Sequence, residues 1–284
     1  MSGIYWLASY PKSGNTWFRA VLQNFETDGT EPVEINALET GAIASSRMWL
    51  DDVIGIDTAD LTDDEIFRIR HMVYRWKLAA EDVGYHKIHD AYGYTPEGEP
   101  MVSREGTLGA VYIIRNPLDV APSYANHNQS TIDKAIACMG DPGHCLSSNR
   151  KRLTTQVRQI LGTWSSHVLS WVDAPGLNLC IIRYEDMQAN TEATFGRAFR
   201  FLGLPDDPDR LRKALGFSSF ERLSAQEAES GFKEKPPGVK NFFRRGKVGD
   251  WRTSLSDEQV SRIITDHGDV MRRFGYLTPD GEPV

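Results

Sequence analysis

The chain is poor in cysteine. Three residues, Cys138, Cys145 and Cys180, stand in 284, too few for a disulfide framework and in keeping with a reducing compartment. Long apolar runs are also missing. None approaches the roughly 18 residues that a membrane-spanning helix needs, and the start, Met-Ser-Gly-Ile-Tyr-Trp, lacks the basic leader of a secretory signal. Positive charge is short as well: 32 Lys and Arg against 39 Asp and Glu give a net charge of −7. Non-specific nucleic-acid binding is therefore not expected, although a local basic pocket remains open. There is no internal repeat and no low-complexity segment. The spacing G-x-x-x-x-G-K-[ST] of a Walker A loop is absent too, since the early lysine precedes its glycine. Together these absences point to a cytoplasmic protein with no membrane and no nucleic-acid partner.

What is present is an ordinary globular composition, 40% hydrophobic and 25% charged, long enough for a substantial core. The apolar run Ile4 to Ala8 reads as a buried strand. Pro11 and Gly14 break it, and from Thr16 the residues Trp17, Phe18, Val21, Leu22 and Phe25 follow helical spacing. A strand, a short Lys-Ser-Gly turn and a helix start form an anion cradle: backbone N–H groups and the positive end of the helix dipole converge there. Lys12 adds a full charge; Ser13, Asn15 and Thr16 add donors.

Further along, Thr62-Asp-Asp-Glu65 is a capping box opening a helix to about residue 81, with Ile66, Ile69, Val73, Trp76 and Leu78 or Ala80 on its apolar face. Val83 to Ile88 reads as a short strand ending in Lys87-Ile88-His89. Tyr92 and Tyr94 read as exposed residues of a rim loop over 91–106. Leu108 to Ile114 is the clearest strand, a continuous apolar run suited to a sheet covered on both faces. Arg115-Asn-Pro-Leu-Asp119 follows, with Pro117 placed for a helix start. A long helix is expected over 152–172, a strand over 177–182 and helices from Thr191 and Pro208. A second capping box, Ser256-Asp-Glu-Gln259, opens the last helix.

Strands alternating with helices predict an α/β fold: a single domain over 1–284 with a central, mainly parallel sheet flanked by helices. Stretches 26–60, 126–150 and 225–243 read as mobile loops, the first with room for one short helix. Ligands of such sheets bind beyond the carboxyl ends of the strands, where Lys12, Arg115 and Tyr184 fall in turn.

Four segments occur in order: Tyr10-Pro-Lys-Ser-Gly-Asn-Thr-Trp17, Arg115-Asn-Pro-Leu-Asp-Val-Ala-Pro-Ser123, Tyr184-Glu-Asp-Met187 and Arg244-Arg-Gly-Lys-Val-Gly-Asp-Trp251. Each alone is a weak signal. The set resembles the cytosolic-type sulfotransferases, which use 3′-phosphoadenosine 5′-phosphosulfate (PAPS) and release the bisphosphate PAP, and the resemblance runs from Ile4 to about Arg252. It implies a P-loop-like sulfotransferase fold. It further implies that Lys12, Ser13, Gly14, Asn15 and Thr16 hold the 5′ end of the donor, with Asn15 standing where the family often has threonine. Arg115, Ser123, Arg244, Arg245 and Gly246 would hold the 3′-phosphate, Trp17 and Phe220 would sandwich the adenine, and Tyr184 and Ser218 would lie near the base or ribose. Arginine suits such a site because its planar fork pairs bidentately with phosphate oxygens.

The same resemblance makes Lys87-Ile88-His89 a catalytic element. His89 would be the general base for a hydroxyl acceptor, Lys12 would stabilise the departing oxygen, Lys87 would neutralise the sulfuryl oxygens, and Ser123 would hold Lys12 in check until acceptor binds. The implied acceptor is a small molecule, a phenol, alcohol or natural product, and no metal is expected. The bland readings stand beside these. Trp17 and Phe220 fit ordinary core packing, and any one of seven histidines can be structural. Trp164, His167 and Trp171 read as core or pocket wall, and Glu185 and Asp186 as structural acids. Cys138 and Cys145 flank His144 at a spacing unlike a zinc pattern. The family's C-terminal dimer signature is not recognisable in 252–275, so the oligomeric state stays open. Two rival functions remain at this level: a nucleotide-dependent kinase, which would need Mg²⁺ and have no use for a 3′-phosphate site, and a non-catalytic nucleotide-binding module, which would not depend on His89.

Overall fold

The computed structural model describes residues 2–40, 43–76, 82–148 and 153–284. The chain forms two compact units. The first comprises Met1–Tyr10, Thr40–Tyr112 and Gly140–Ile181; the second comprises Pro11–Glu39, Ile113–Met139 and Ile182–Val284.

The first unit is built on a parallel sheet. Strand β1 (Ile4–Ser9) pairs with β2 (Gly84–Ile88), Ile4 facing Gly84 and Ala8 facing Ile88. The full strand order is β2-β1-β3-β6, with β3 at Thr107–Ile114 and β6 at Leu179–Arg183. Tyr112 and Ile181 are the last residues of the first unit on those two strands. Ile4, Trp6, Leu7, Ala8, Ala110, Val111 and Tyr112 are buried. The unbroken apolar runs that predicted these strands are explained by that coverage. This unit also holds α2 (Arg47–Ile54) and α3 (Asp63–Trp76). The Thr62 capping box forms as expected, with Thr62 and Glu65 exchanging bonds of 2.8 and 3.3 Å.

Three features of this unit differ from expectation. The buried face of α3 consists of Ile66, Arg70, Val73 and Tyr74, whereas Trp76 is 68% exposed; Leu78, Ala80 and residue 81 lie outside the described residues. An arginine takes a core position because a carboxylate meets it there. The helix expected over 152–172 is only α6 (Trp164–Val172), and Arg152 lies outside the described residues. Ahead of α6, the two-residue strands β4 (Cys145–Leu146) and β5 (Gln159–Ile160) pair antiparallel. Gly162 at φ 64° and the cap at Thr163, whose Oγ1 accepts from the Ser166 N–H at 2.9 Å, set the helix start. Tyr92, expected exposed, is buried against Trp171 at 5.4 Å between ring centroids.

The second unit is helical: α1 (Asn15–Thr27), α4 (Pro117–His127), α5 (Ile132–Met139), α7 (Tyr184–Ala189), α8 (Thr191–Phe201), α9 (Pro208–Phe217), α10 (Phe220–Ser230), α11 (Trp251–Ser254) and α12 (Asp257–Arg273). Phe18, Phe25, Phe195 and Phe199 make its aromatic core, with Phe18 stacked on Phe195 at 5.5 Å. The Ser256 capping box opens α12 as expected. The stretches expected to be loops are partly helical. Residues 26–60 contain α2, residues 126–150 contain α5, and 225–243 begins inside α10. The short helix allowed within 26–60 is α2, whereas polar composition concealed α5 and α10 because each buries only a few residues, such as Ala135, Ile136 and Met139 of α5.

Candidate active site

The second unit begins at Pro11, and from there the chain turns sharply into α1. Lys12 has φ 69° and Gly14 φ 103°, so a non-glycine residue occupies the left-handed region beside a glycine that does. Such a backbone costs of order 1–3 kcal/mol at the lysine. Turns that place residues in this region are a common way to aim successive N–H groups at an anion. Gly14 is also sterically required, since a Cβ there would stand 2.5 Å from Cδ2 of Tyr184. Gly14 caps α1 without a side-chain bond, and no acidic residue lies in the first turn. The positive end of the helix is thus left for an outside anion. Ser13 is 1% exposed, and its Oγ has no partner among the described residues. A buried hydroxyl without a partner costs about 1–3 kcal/mol, and an anion seated in the turn would relieve it.

Several of the other sequence-predicted residues of this unit meet around Tyr184. The Arg115 guanidinium lies 4.3 Å from its ring centroid, and Arg115 donates to the Lys12 carbonyl at 3.0 Å and the Lys247 carbonyl at 3.2 Å. Trp17 meets Tyr184 edge-on at 6.0 Å and Phe195 at 5.4 Å. Gln188 donates both to the Tyr184 hydroxyl at 3.1 Å and to the Gly246 carbonyl at 3.2 Å. Gly246, at φ 60°, approaches Phe220 so closely that a Cβ would fall 2.3 Å from its Cδ2. Lys12, Gly14, Trp17, Arg115, Tyr184, Phe220 and Gly246 therefore form one neighbourhood. The Lys12 ammonium sits 3.8 Å from the centroid of Phe242. Asn15 and Thr16 are buried in the first turn of α1, and Ser123 is half-buried on α4. Three of the expected residues are paired within the protein. Ser218 is fully buried and accepts from Asn24 at 3.1 Å. Arg244 and Arg245 both pair with Asp250, Arg244 at 3.0 Å.

Sequence reasoning missed the supports of this site. Asp119 accepts the N–H groups of Gly249 at 2.8 Å and Trp251 at 3.0 Å, and so ties the Arg244–Trp251 segment to α4. The signal was the acid closing Arg115-Asn-Pro-Leu-Asp119. Glu227 accepts from the N–H groups of Phe242 and Phe243 and pairs with Lys235. Burial opposes its ionisation, but those three donors prevail and hold its carboxyl below the usual range. Glu185, read as structural, accepts from the Asn116 N–H at 2.9 Å and the Tyr276 hydroxyl at 3.0 Å; burial pushes its carboxyl up.

Lys87 and His89 belong to the first unit. Lys87 is on β2 and His89 follows it. The His89 Nδ1 lies 2.8 Å from the Ser9 carbonyl oxygen, with the Ser9 hydroxyl at 3.4 Å. A carbonyl only accepts, so Nδ1 carries the proton and the lone pair of the neutral ring lies on Nε2. That is the tautomer a general base needs. No group of three or more His, Cys, Asp or Glu among the described residues is arranged to hold a metal, and Cys138, Cys145 and Cys180 are not joined in disulfides.

A sequence model described as the sulfotransferase domain matches residues 100–275. The chain belongs to the sulfotransferase family. It is 25% identical over 266 residues to Sulfotransferase 2A6 of Rattus norvegicus, covering 89% of this chain and 79% of that one. It is 24% identical over 275 residues to flavonol 3-sulfotransferase of Flaveria bidentis, covering 90% and 78%. Among solved structures, a mouse sulfotransferase in complex with PAP matches with a TM-score of 0.59 at 20% identity, over 98% of this chain and 86% of that one. Retinol dehydratase in complex with androsterone and PAP matches with a TM-score of 0.59 at 19% identity, over 98% and 83%. The α/β sulfotransferase fold and the enzyme class expected from the four segments are thereby established. No described helix is long and apolar enough to cross a membrane.

Proposed function

We propose that this sulfotransferase moves the sulfuryl group of PAPS to a hydroxyl of a small-molecule acceptor, with His89 as general base and without a metal. The observation that carries the donor assignment is the cradle at Lys12–Thr16, with its left-handed lysine, uncapped helix start and partnerless Ser13 hydroxyl. These residues suit the 5′ end of the donor. Arg115, Ser123, Arg244, Arg245 and the Gly246 backbone suit its 3′-phosphate, Trp17 and Phe220 its adenine, and Tyr184 and Ser218 its base or ribose. PAPS supplies the sulfuryl group and departs as PAP.

His89 Nε2 takes the acceptor's proton as the acceptor oxygen bonds to sulfur. Lys12 stabilises the charge that appears on the leaving oxygen, and Lys87 that on the sulfuryl oxygens. In-line transfer of this kind depends on positioning and charge stabilisation. The acceptor class is supported by the flavonol in the name of one relative and by the androsterone bound in a structural neighbour. A domain over the whole chain, acceptor loops in 26–60, 126–150 and 225–243, and a cytoplasmic setting belong to the same proposal.

Calorimetric titration with PAP and AMP tests the donor site. PAP is expected to bind orders of magnitude more tightly, since each charge-assisted bond contributes roughly 1.5–3 kcal/mol; equal affinities would refute the 3′-phosphate site. A PAPS-dependent acceptor screen with mass detection of an added sulfo group tests the reaction. On the acceptor found, His89→Ala is expected to lower turnover by about 10²–10⁴-fold with PAP affinity unchanged. Activity should survive exhaustive EDTA treatment. Its abolition and specific rescue by Mg²⁺ would favour a kinase.

A further inference from the structure

His89 stands where β2 ends, and residues 89–92 are neither strand nor helix. Backbone groups in such a segment lack ladder partners, yet each must be satisfied if buried. Here side chains from one face of α6 supply them. His167 Nε2 lies 2.9 Å from the His89 carbonyl oxygen, Ser170 Oγ accepts from the Tyr92 N–H at 2.9 Å, and Trp171 Nε1 donates to the Asp90 carbonyl at 2.9 Å. These three residues are at i, i+3 and i+4, the spacing of a single helical face.

The remaining ties come from other elements. Ala91 N–H donates to the Ile160 carbonyl at 2.8 Å, and the Lys87 carbonyl accepts from Ala44 at 2.8 Å. The Asp90 carboxylate meets Arg70 through two bonds of 2.7 and 2.9 Å, both side chains 1% exposed. His167 is itself held. A carbonyl only accepts, so the His167 proton is on Nε2, and Nδ1 must accept from the Tyr112 hydroxyl at 2.8 Å. Burial lowers the pKa of this ring to about 4 and pushes the Tyr112 hydroxyl up, which keeps both neutral. The His89 ring is thus fixed at two points, its Nδ1 by Ser9 and its main chain by His167.

We infer that His167, set by Tyr112, is a positioning residue for His89, holding the backbone from which the imidazole projects so that Nδ1 keeps its proton on the Ser9 carbonyl. This rests on the assignment of His89 as the base. Buried polar groups of this kind are costly wherever apolar packing would serve. Their concentration on four residues after Lys87 is explained by the need to place one ring, because a displacement of about 1 Å can lower a rate by about 10²-fold.

The test is nitrogen-15 NMR of histidine-labelled protein, with the His89 ring assigned by its loss in His89→Ala. The wild type should show one Nδ1-protonated form. His167→Phe, which keeps a ring but no donor, should show a mixture of tautomers, and His167→Gln, which keeps a donor, should restore the single form. Tyr112→Phe is the milder variant should His167→Phe not fold; it should move the His89 signal in the same direction. With the acceptor found by screening, His167→Phe should lower turnover by about 10–10²-fold, leave PAP affinity unchanged, and have no further effect in the His89→Ala background. An unmoved His89 spectrum in His167→Phe or Tyr112→Phe, or an undiminished effect of His167→Phe without His89, overturns the inference. Retained turnover in His89→Ala is a separate result and overturns the base assignment instead.

Discussion

The Lys87–Tyr92 segment and the Pro11–Thr16 turn both lie at the end of a strand and both carry residues assigned to the reaction, yet they are built on opposite rules. The first is held by satisfied groups: its carbonyls and N–H groups meet His167, Trp171, Ser170, Ala44 and Ile160, and its carboxylate meets Arg70. The second leaves the Ser13 hydroxyl without a partner among the described residues and the start of α1 without a side-chain cap, and it holds Lys12 in a left-handed backbone. A base must keep one orientation, which full pairing enforces. An anion site must keep donors for its ligand, so it folds with polar groups unmet and with backbone strain. Damage to the first should appear as lost stability, and damage to the second as lost affinity.

The largest expected effect on stability is at Arg70 and Asp90. Asp90→Ala strands a buried guanidinium and should cost about 3–5 kcal/mol, read by urea unfolding. A loss below about 1 kcal/mol would show that the clamp is dispensable. Next comes pH. His167 and His267 are buried, in the first and second units, and burial lowers each pKa from 6.5 to about 4. The unfolded chain binds these protons first, so stability present above pH 6.5 is lost as pH falls from 6.5 toward 4. The loss is up to roughly 3 kcal/mol for each histidine. The melting temperature of the wild type should fall with pH across that range, and His267→Gln should remove one share of that dependence on pH. An unchanged dependence would place that ring in solvent.

Gly14→Ala sharpens the contrast from the other side. The added Cβ meets Tyr184 at φ 103°, so a stability loss of about 1–3 kcal/mol is expected together with a larger relative loss of PAP affinity, measured by calorimetry. The smallest effect on stability belongs to Arg245→Ala. Its ion pair with Asp250 is half-exposed on the arginine side and should be worth less than about 1 kcal/mol. PAP binding should nonetheless weaken by about tenfold or more, as expected for one charge-assisted bond. A large loss of stability with intact affinity would reverse the comparison.

Local chemistry made much of this legible. The strand–turn–helix at Ile4–Phe25, the two capping boxes and the apolar run of β3 depend on neighbours a few residues apart, and the structure reproduces them. The Arg115, Tyr184 and Gly246 segments could be read as parts of one site because each carries its own residue types in order. The 152–172 helix was overextended because Val157, Ile160 and Leu161 have helical spacing, whereas Gly162 and the pairing of β4 with β5 determine the chain there. The exposed reading of Tyr92 failed because Trp171, 79 positions away, covers it.

By itself the sequence determined the α/β class, the strand–turn–helix around Lys12 and the placement of Lys87 and His89 at a strand end, since each follows from short-range pattern and residue chemistry. Only the tertiary structure decided which groups hold His89. Arg70 and Asp90 are 20 positions apart, Tyr112 and His167 are 55, and His89 and His167 are 78. No local propensity couples residues at such separations. Their pairing arises because burial removes water from a polar segment, and each buried donor and acceptor must then find its partner within the fold.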